Sequence, residues 1–158
     1  MTKALVAYFS ASGMTRKLAE RHAEAIKADI AEIAAQPPYT KADLDWRDQQ
    51  SRSTLEMADH SSRPAFSCEI ETMDEYDVIF VGFPIWWYRE PSIIDTFMEA
   101  YDFTGKTVVP FATSGGSDIG ESGENMQKLA PGAKVEAGKR VSSITSDKQL
   151  QSWAEKYL

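Results

Sequence analysis

Cysteine is almost missing from this chain. Cys68 stands alone, which excludes a disulfide framework, a Cys-x-x-Cys redox pair and a zinc cluster. Histidine is scarce too: His22 and His60 have no Ser, Asp or Glu arrangement that suggests a catalytic triad, and both are expected to be solvated. Positive charge is in deficit, with 17 Lys and Arg against 24 Asp and Glu and a formal charge of −7. That balance argues against nucleic acid or an anionic membrane surface as a partner. The opening run Ala4-Leu5-Val6-Ala7-Tyr8-Phe9 is too short to span a bilayer and lacks a small-residue cleavage pattern, so a cytoplasmic location is expected. Repeats, low-complexity tracts and charge blocks are absent as well. With one cysteine set in a polar stretch, Cys68 is expected to be a spectator thiol, and any redox role requires a borrowed cofactor.

The chain does contain a regular alternation of apolar runs and helix-periodic stretches. At 158 residues and 42% hydrophobic it fits one domain spanning residues 1–158. Residues 3–9 read as a strand, 10–13 as a loop, and Met14, Leu18, Ala19, Ala23 and Ile26 as one face of a helix. A second strand is expected at 30–33, followed by a long polar connection over 36–77 that Pro37 and Pro38 introduce. The continuous apolar run 78–82 suits a central strand covered on both faces. Pro91 stands at a plausible helix start, with Ile93, Ile94, Phe97, Met98 and Tyr101 as its apolar stripe. Strand 107–112, a helix ending at 125–129, strand segments at 134–136 and 140–144, and a C-terminal helix through Leu150, Trp153, Ala154 and Tyr157 complete the pattern. Strands alternating with helices imply right-handed crossovers and a mostly parallel sheet.

In open parallel sheets, ligands bind beyond the carboxyl ends of the strands. Three loops emerge there. Ser10-Ala11-Ser12-Gly13-Met14-Thr15 leads from a strand into a helix N-terminus, where free N–H groups and the helix dipole attract an anion such as a phosphate. Ordinary N-capping explains the same residues equally well in isolation. Pro84-Ile85-Trp86-Trp87-Tyr88 places three aromatics at a strand end, against which a planar ring can stack; core or interface packing is the plainer account. Thr113-Ser114-Gly115-Gly116-Ser117-Asp118 is a hydroxyl- and glycine-rich turn that lets backbone approach a flat polar ligand, or simply a surface turn. A Walker A or Gly-x-Gly-x-x-Gly pattern does not follow the first strand. Carboxylates for a Mg²⁺-dependent receiver site and a thiolate in the first loop are missing too.

These three segments, with the run 76–88 and Gly105-Lys106-Thr107, resemble the flavodoxins, in particular those with a Trp-Trp pair and a Thr-Ser-Gly-Gly-Ser loop. The resemblance extends over most of the chain. It implies an α/β flavodoxin-like three-layer sandwich: a five-stranded parallel sheet of order 2-1-3-4-5 with helices on both faces. It also implies bound FMN, with Ser10, Ser12, Gly13, Met14 and Thr15 around the phosphate, Pro84 to Tyr88 along the ring and ribityl chain, and Thr113 to Ser117 at the other edge. Arg89 and Glu90, where relatives often carry smaller or apolar residues, and Asp118, where glycine is common, depart from the pattern. If Glu90, Asp118 and Glu121 lie near the ring, their charge would lower its potential, with Arg89 in opposition.

The expected activity is electron carriage between partners, through a redox partner protein or a small-molecule electron acceptor. An NAD(P)H-dependent FMN reductase of quinones or nitro compounds, and a flavin-free binding module, stay open as alternatives. Tyr39 and Trp46 in the long connection are expected to cover the sheet edge. The oligomeric state is left open.

Overall fold

Alternating burial along three strands sets the architecture. In β1 (Ala4–Tyr8), β5 (Val78–Pro84) and β6 (Thr107–Thr113), Leu5, Ala7, Ile79, Val81, Phe83, Val108 and Ala112 join one buried cluster, while Val6, Tyr8, Val78, Phe80, Val109 and Phe111 join another. Side chains alternate across a strand, so each strand must be covered on both faces. The computed structural model describes residues 2–114 and 118–158.

Between these strands lie α1 (Met14–Ile26), β2 (Asp29–Glu32), β3 (Ala34–Ala35), α2 (Arg52–Ala58), β4 (Phe66–Ser67) and α3 (Ser92–Ala100); α4 (Ser122–Leu129), β7 (Lys134–Val135), β8 (Lys139–Val141) and α5 (Asp147–Ala154) follow β6. All pairings in the main sheet are parallel, in the order β2-β1-β5-β6-β7, with β8 also on β6. Counting β7 and β8 as one interrupted strand, this is the expected order 2-1-3-4-5. The interruption has a cause in β6. Pro110 has no N–H to give a neighbour, and a Cβ on Gly138, between β7 and β8, would stand 2.0 Å from the Pro110 carbonyl oxygen.

One face of the sheet is covered by α3 and α4, through Ile93, Ile94, Phe97, Met98 and Met126. The other is covered by α1 and α5, through Leu18, Ala19, Ala23, Leu150, Trp153 and Ala154. Fully burying each large apolar side chain contributes about 1.5–3 kcal/mol. Gly82 on β5 lies against Phe111 of β6, and a Cβ there would fall 2.3 Å from the Phe111 ring; the missing side chain is what admits the ring.

His22 departs from expectation. It sits on the buried stripe of α1, 1% exposed, edge-on to Phe80 at 4.7 Å and near Phe111 and Trp153. Position decided the matter: residue 22 falls four after Leu18 and three after Ala19, on the face that must be buried. His60 is exposed.

The long connection is more ordered than its polarity suggests. Ala34 and Ala35, just before it, pair antiparallel with Ser67 and Phe66, closing residues 36–65 into a loop. Within it, Ser51 caps α2 by accepting from the Thr54 N–H at 3.4 Å. Arg52 lies over the Tyr39 ring at 3.9 Å, and the Tyr39 hydroxyl donates to Glu56 at 2.5 Å. Cys68 is half-buried, and burial pushes its thiol up to about 11, which leaves little thiolate for chemistry.

Candidate functional site

The first loop is shaped by a glycine. Ser10 Oγ accepts from the Gly13 N–H at 3.0 Å, so this hydroxyl tightens the turn rather than capping the helix. Gly13 has φ of +96° with open space where a Cβ would go, so glycine is required there by backbone conformation alone. Among the described residues no side chain caps α1, and no acid stands in its first turn. The helix thus presents its N–H groups and the positive end of its dipole beside the exposed Ser12. The far helix on the same face, α5, is instead closed by a capping box, with Ser146 and Gln149 satisfying each other's backbone N–H groups. Thr15 is buried, its hydroxyl 2.6 Å from that of Thr113, which ties the first loop to the third.

The second loop carries its aromatics on strained backbone. Pro84 ends β5 opposite Thr113. Trp86 is half-buried and packs edge-on against Phe9 at 5.6 Å and Tyr39 at 5.4 Å. Trp87 and Tyr88 turn outward, 42% and 80% exposed, with φ of +48° and +68°. Left-handed backbone at a non-glycine residue costs on the order of 1–3 kcal/mol each. Two contacts hold it. Trp86 and Arg89 exchange backbone hydrogen bonds at 3.0 and 3.2 Å, closing the turn. Gly120, at φ +63°, leaves room for the Tyr88 carbonyl, which lies 2.3 Å from where a Cβ would be.

That close approach brings the third loop against the second. Thr113 is buried and the Ser114 N–H reaches the Val141 carbonyl at 3.4 Å. Gly115, Gly116 and Ser117, expected at the ligand's edge, lie outside the described residues. Asp118 is exposed, and its carboxylate accepts from the Ile119 N–H at 2.8 Å.

Three features were not anticipated. A cleft of about 310 Å³ opens between the second loop and the long connection, lined by Leu44, Trp46, Ser53, Ile85, Trp86, Trp87 and Tyr88. Trp46, expected to cover the sheet edge, is instead 68% exposed on the wall of this cleft; its signal was an aromatic stranded in a polar stretch. Tyr39 does take the packing role, against Trp86 and Phe9. Thirdly, Arg89 and Glu90 do not face outward as redox-tuning charges. Both are buried, together with Asp95, and burial and the neighbouring Asp95 charge push the Glu90 carboxyl well above the usual range. Burial thus favours the neutral form of the Glu90 carboxyl. Among the described residues no group of His, Cys, Asp and Glu is placed to hold a metal ion, and no helix is long and apolar enough to cross a membrane.

Comparison with known proteins places this geometry in context. A family model described as flavodoxin matches residues 3–157. Among solved structures, a protein of Bacteroides eggerthii described as a flavoprotein superposes with a TM-score of 0.92 at 45% identity, covering 99% of this chain and 98% of that one. A second, from Bacteroides uniformis and described in the same way, gives 0.90 at 45% identity over 98% of each chain. A flavoprotein from Lactobacillus acidophilus, solved in complex with FMN, shares the fold with a TM-score of 0.74 at 22% identity, over 99% of both chains. No curated protein matches the chain.

Proposed function

Because the chain belongs to the flavodoxin family, we propose that it holds one FMN across its three loops and carries electrons between a donor and a redox partner. The observation that carries this reading is the meeting of an uncapped helix N-terminus with an outward-turned aromatic loop, linked through Thr15, Thr113 and Gly120.

The residues fit the group part by part. The N–H groups of the first turn of α1, with Ser12 beside them, suit a phosphate. Trp87 and Tyr88 offer exposed ring faces to a planar heterocycle, and Trp86 holds their stem against Phe9. When bound, FMN supplies one-electron or two-electron redox chemistry, and the protein contributes orientation, electrostatics and exclusion of water. Stacking by the Trp87 and Tyr88 side chains would shield one face of the ring. Asp118 is the exposed carboxylate of the third loop, and its charge would oppose negative charge nearby. The formal charge of −7 favours a protein or small-molecule partner over nucleic acid or an anionic membrane.

Stepwise anaerobic reduction of the FMN-loaded protein tests this. Two resolved one-electron steps are expected; a single two-electron step would contradict electron carriage. A second reading, a reductase of small planar acceptors, is favoured by the aromatic cleft beside the second loop. Ser53 borders that cleft, and its buried hydroxyl has no partner among the described residues. Rapid reduction by NADPH without a partner protein, with turnover of a quinone, would select that reading.

A further inference from the structure

The stem of the aromatic loop is built on buried charge. Arg89, Glu90 and Asp95 are 2%, 0% and 4% exposed. The Arg89 guanidinium lies 3.4 Å from Asp95 Oδ2, and it donates to the carbonyls of Glu90 and Met57, each at 3.2 Å. Glu90 Oε1 accepts from Asn125 Nδ2 at 2.9 Å. One oxygen on each carboxyl, Glu90 Oε2 and Asp95 Oδ1, is left buried and without a donor among the described residues, and the two carboxyls are within hydrogen-bonding reach of each other.

Two ionised carboxyls buried with one guanidinium would leave a net charge in a medium that solvates it poorly. One proton shared between the two carboxyls removes that charge and gives one of them a donor toward the other. Asp95 lies in the first turn of α3 and beside Arg89, both of which favour its ionised form. The proton therefore rests on Glu90.

We propose that Glu90 and Asp95 share a single proton at neutral pH, and that this hydrogen bond makes Glu90 a positioning residue for the Trp86–Tyr88 loop. The connection is short. Arg89, whose side chain completes the cluster, also closes the backbone turn on which Trp87 and Tyr88 stand. Through Met57, Asp95 and Asn125 the same cluster reaches the end of α2, the start of α3 and α4. Removing the proton sets two carboxylates against each other beneath the loop and loosens its stem. Burial and the Asp95 charge push Glu90 up to about 8, and burial raises Asp95 as well. The charged or titratable groups that face the pair are Arg89 from the loop itself, and His60 and Arg63 from the segment after α2; α4 presents Asn125.

The inference rests on the flavin reading only for its binding readout. FMN affinity of the wild type, followed by quenching of tryptophan fluorescence, is expected to fall about five- to tenfold between about pH 7 and pH 9. In Glu90→Gln, which keeps a donor toward Asp95 but cannot ionise, the profile is expected to be flat, whatever its level at neutral pH. Independently of FMN, infrared difference spectra of the apoprotein should show a protonated carboxyl group that disappears across the same pH range. That band should be absent from Glu90→Gln. A wild-type apoprotein without the band overturns the proposal, and so does an alkaline step that persists in Glu90→Gln. Failure to bind FMN at any pH would instead sink the functional reading, while the infrared band would still decide the protonation of the pair.

Discussion

The two faces of the sheet each bury titratable side chains, and they accommodate them in opposite ways. Beneath α1 and α5, His22 sits among aromatic rings with neither ring nitrogen partnered among the described residues, and burial pushes it down to about 4. It is a neutral packing group. Beneath α3 and α4, Arg89 and Asp95 form an ion pair, and together with Glu90 they gather hydrogen bonds from three helices. A lone buried base gives up its proton, whereas a cluster can hold one and use it to tie elements together. The cluster also stands where the second loop begins its turn back into the fold, and His22 stands away from all three loops.

Removing the cation tests the contrast most severely. Arg89→Met should cost about 3–5 kcal/mol in urea unfolding, because it strands Asp95 without its partner. A loss below about 1 kcal/mol would mean that the cluster holds little.

The pH dependence of stability should separate the two faces by sign. As pH falls below about 6.5, unfolded His22 takes up a proton while the folded ring resists until about 4. Its contribution is therefore complete above 6.5 and lost as pH falls toward 4, by up to roughly 3 kcal/mol. Glu90 runs the other way. Its raised value stabilises the fold below the ordinary 4.5, and that contribution is lost as pH rises toward about 8. Relative to wild type, His22→Leu should gain stability as pH falls from about 6.5 toward 4 and, by removing two unmet nitrogens, stabilise the protein by about 1–2 kcal/mol at neutral pH. Relative to wild type, Glu90→Gln should gain stability as pH rises from about 4.5 toward 8. Matching slopes in both variants would erase the distinction.

A smaller effect sharpens it further, since a neutral pair should show no pH signature. Thr15→Val leaves the buried Thr113 hydroxyl without its 2.6 Å partner. A loss of about 1 kcal/mol in unfolding experiments, independent of pH, is expected.

The strands and the first two loops were legible because their signals are local: apolar runs of strand length, a glycine at a turn, aromatics at a strand end. His22 lay on a readable stripe, but its residue type outweighed its position. Arg89 and Glu90 were less accessible. Burying a charge depends on partners remote in sequence, here Met57 and Asn125, and no spacing within residues 86–95 announces them. The pairing of Ala34 and Ala35 with Ser67 and Phe66 is equally remote, and α2 is a helix of 7 residues whose only local mark is the Ser51 cap. In the sheet, Pro110 was visible in sequence, but its effect falls on a neighbouring strand.

Titration of the apoprotein with FMN and with riboflavin tests the central claim most directly. The account predicts one FMN per chain, with quenching of tryptophan fluorescence by the ring beside Trp87. Riboflavin, lacking the phosphate that this reading assigns to the N-terminus of α1, should bind at least about tenfold more weakly, a difference of about 1.4 kcal/mol or more. Equal affinity for the two flavins, or no uptake of FMN, would contradict it.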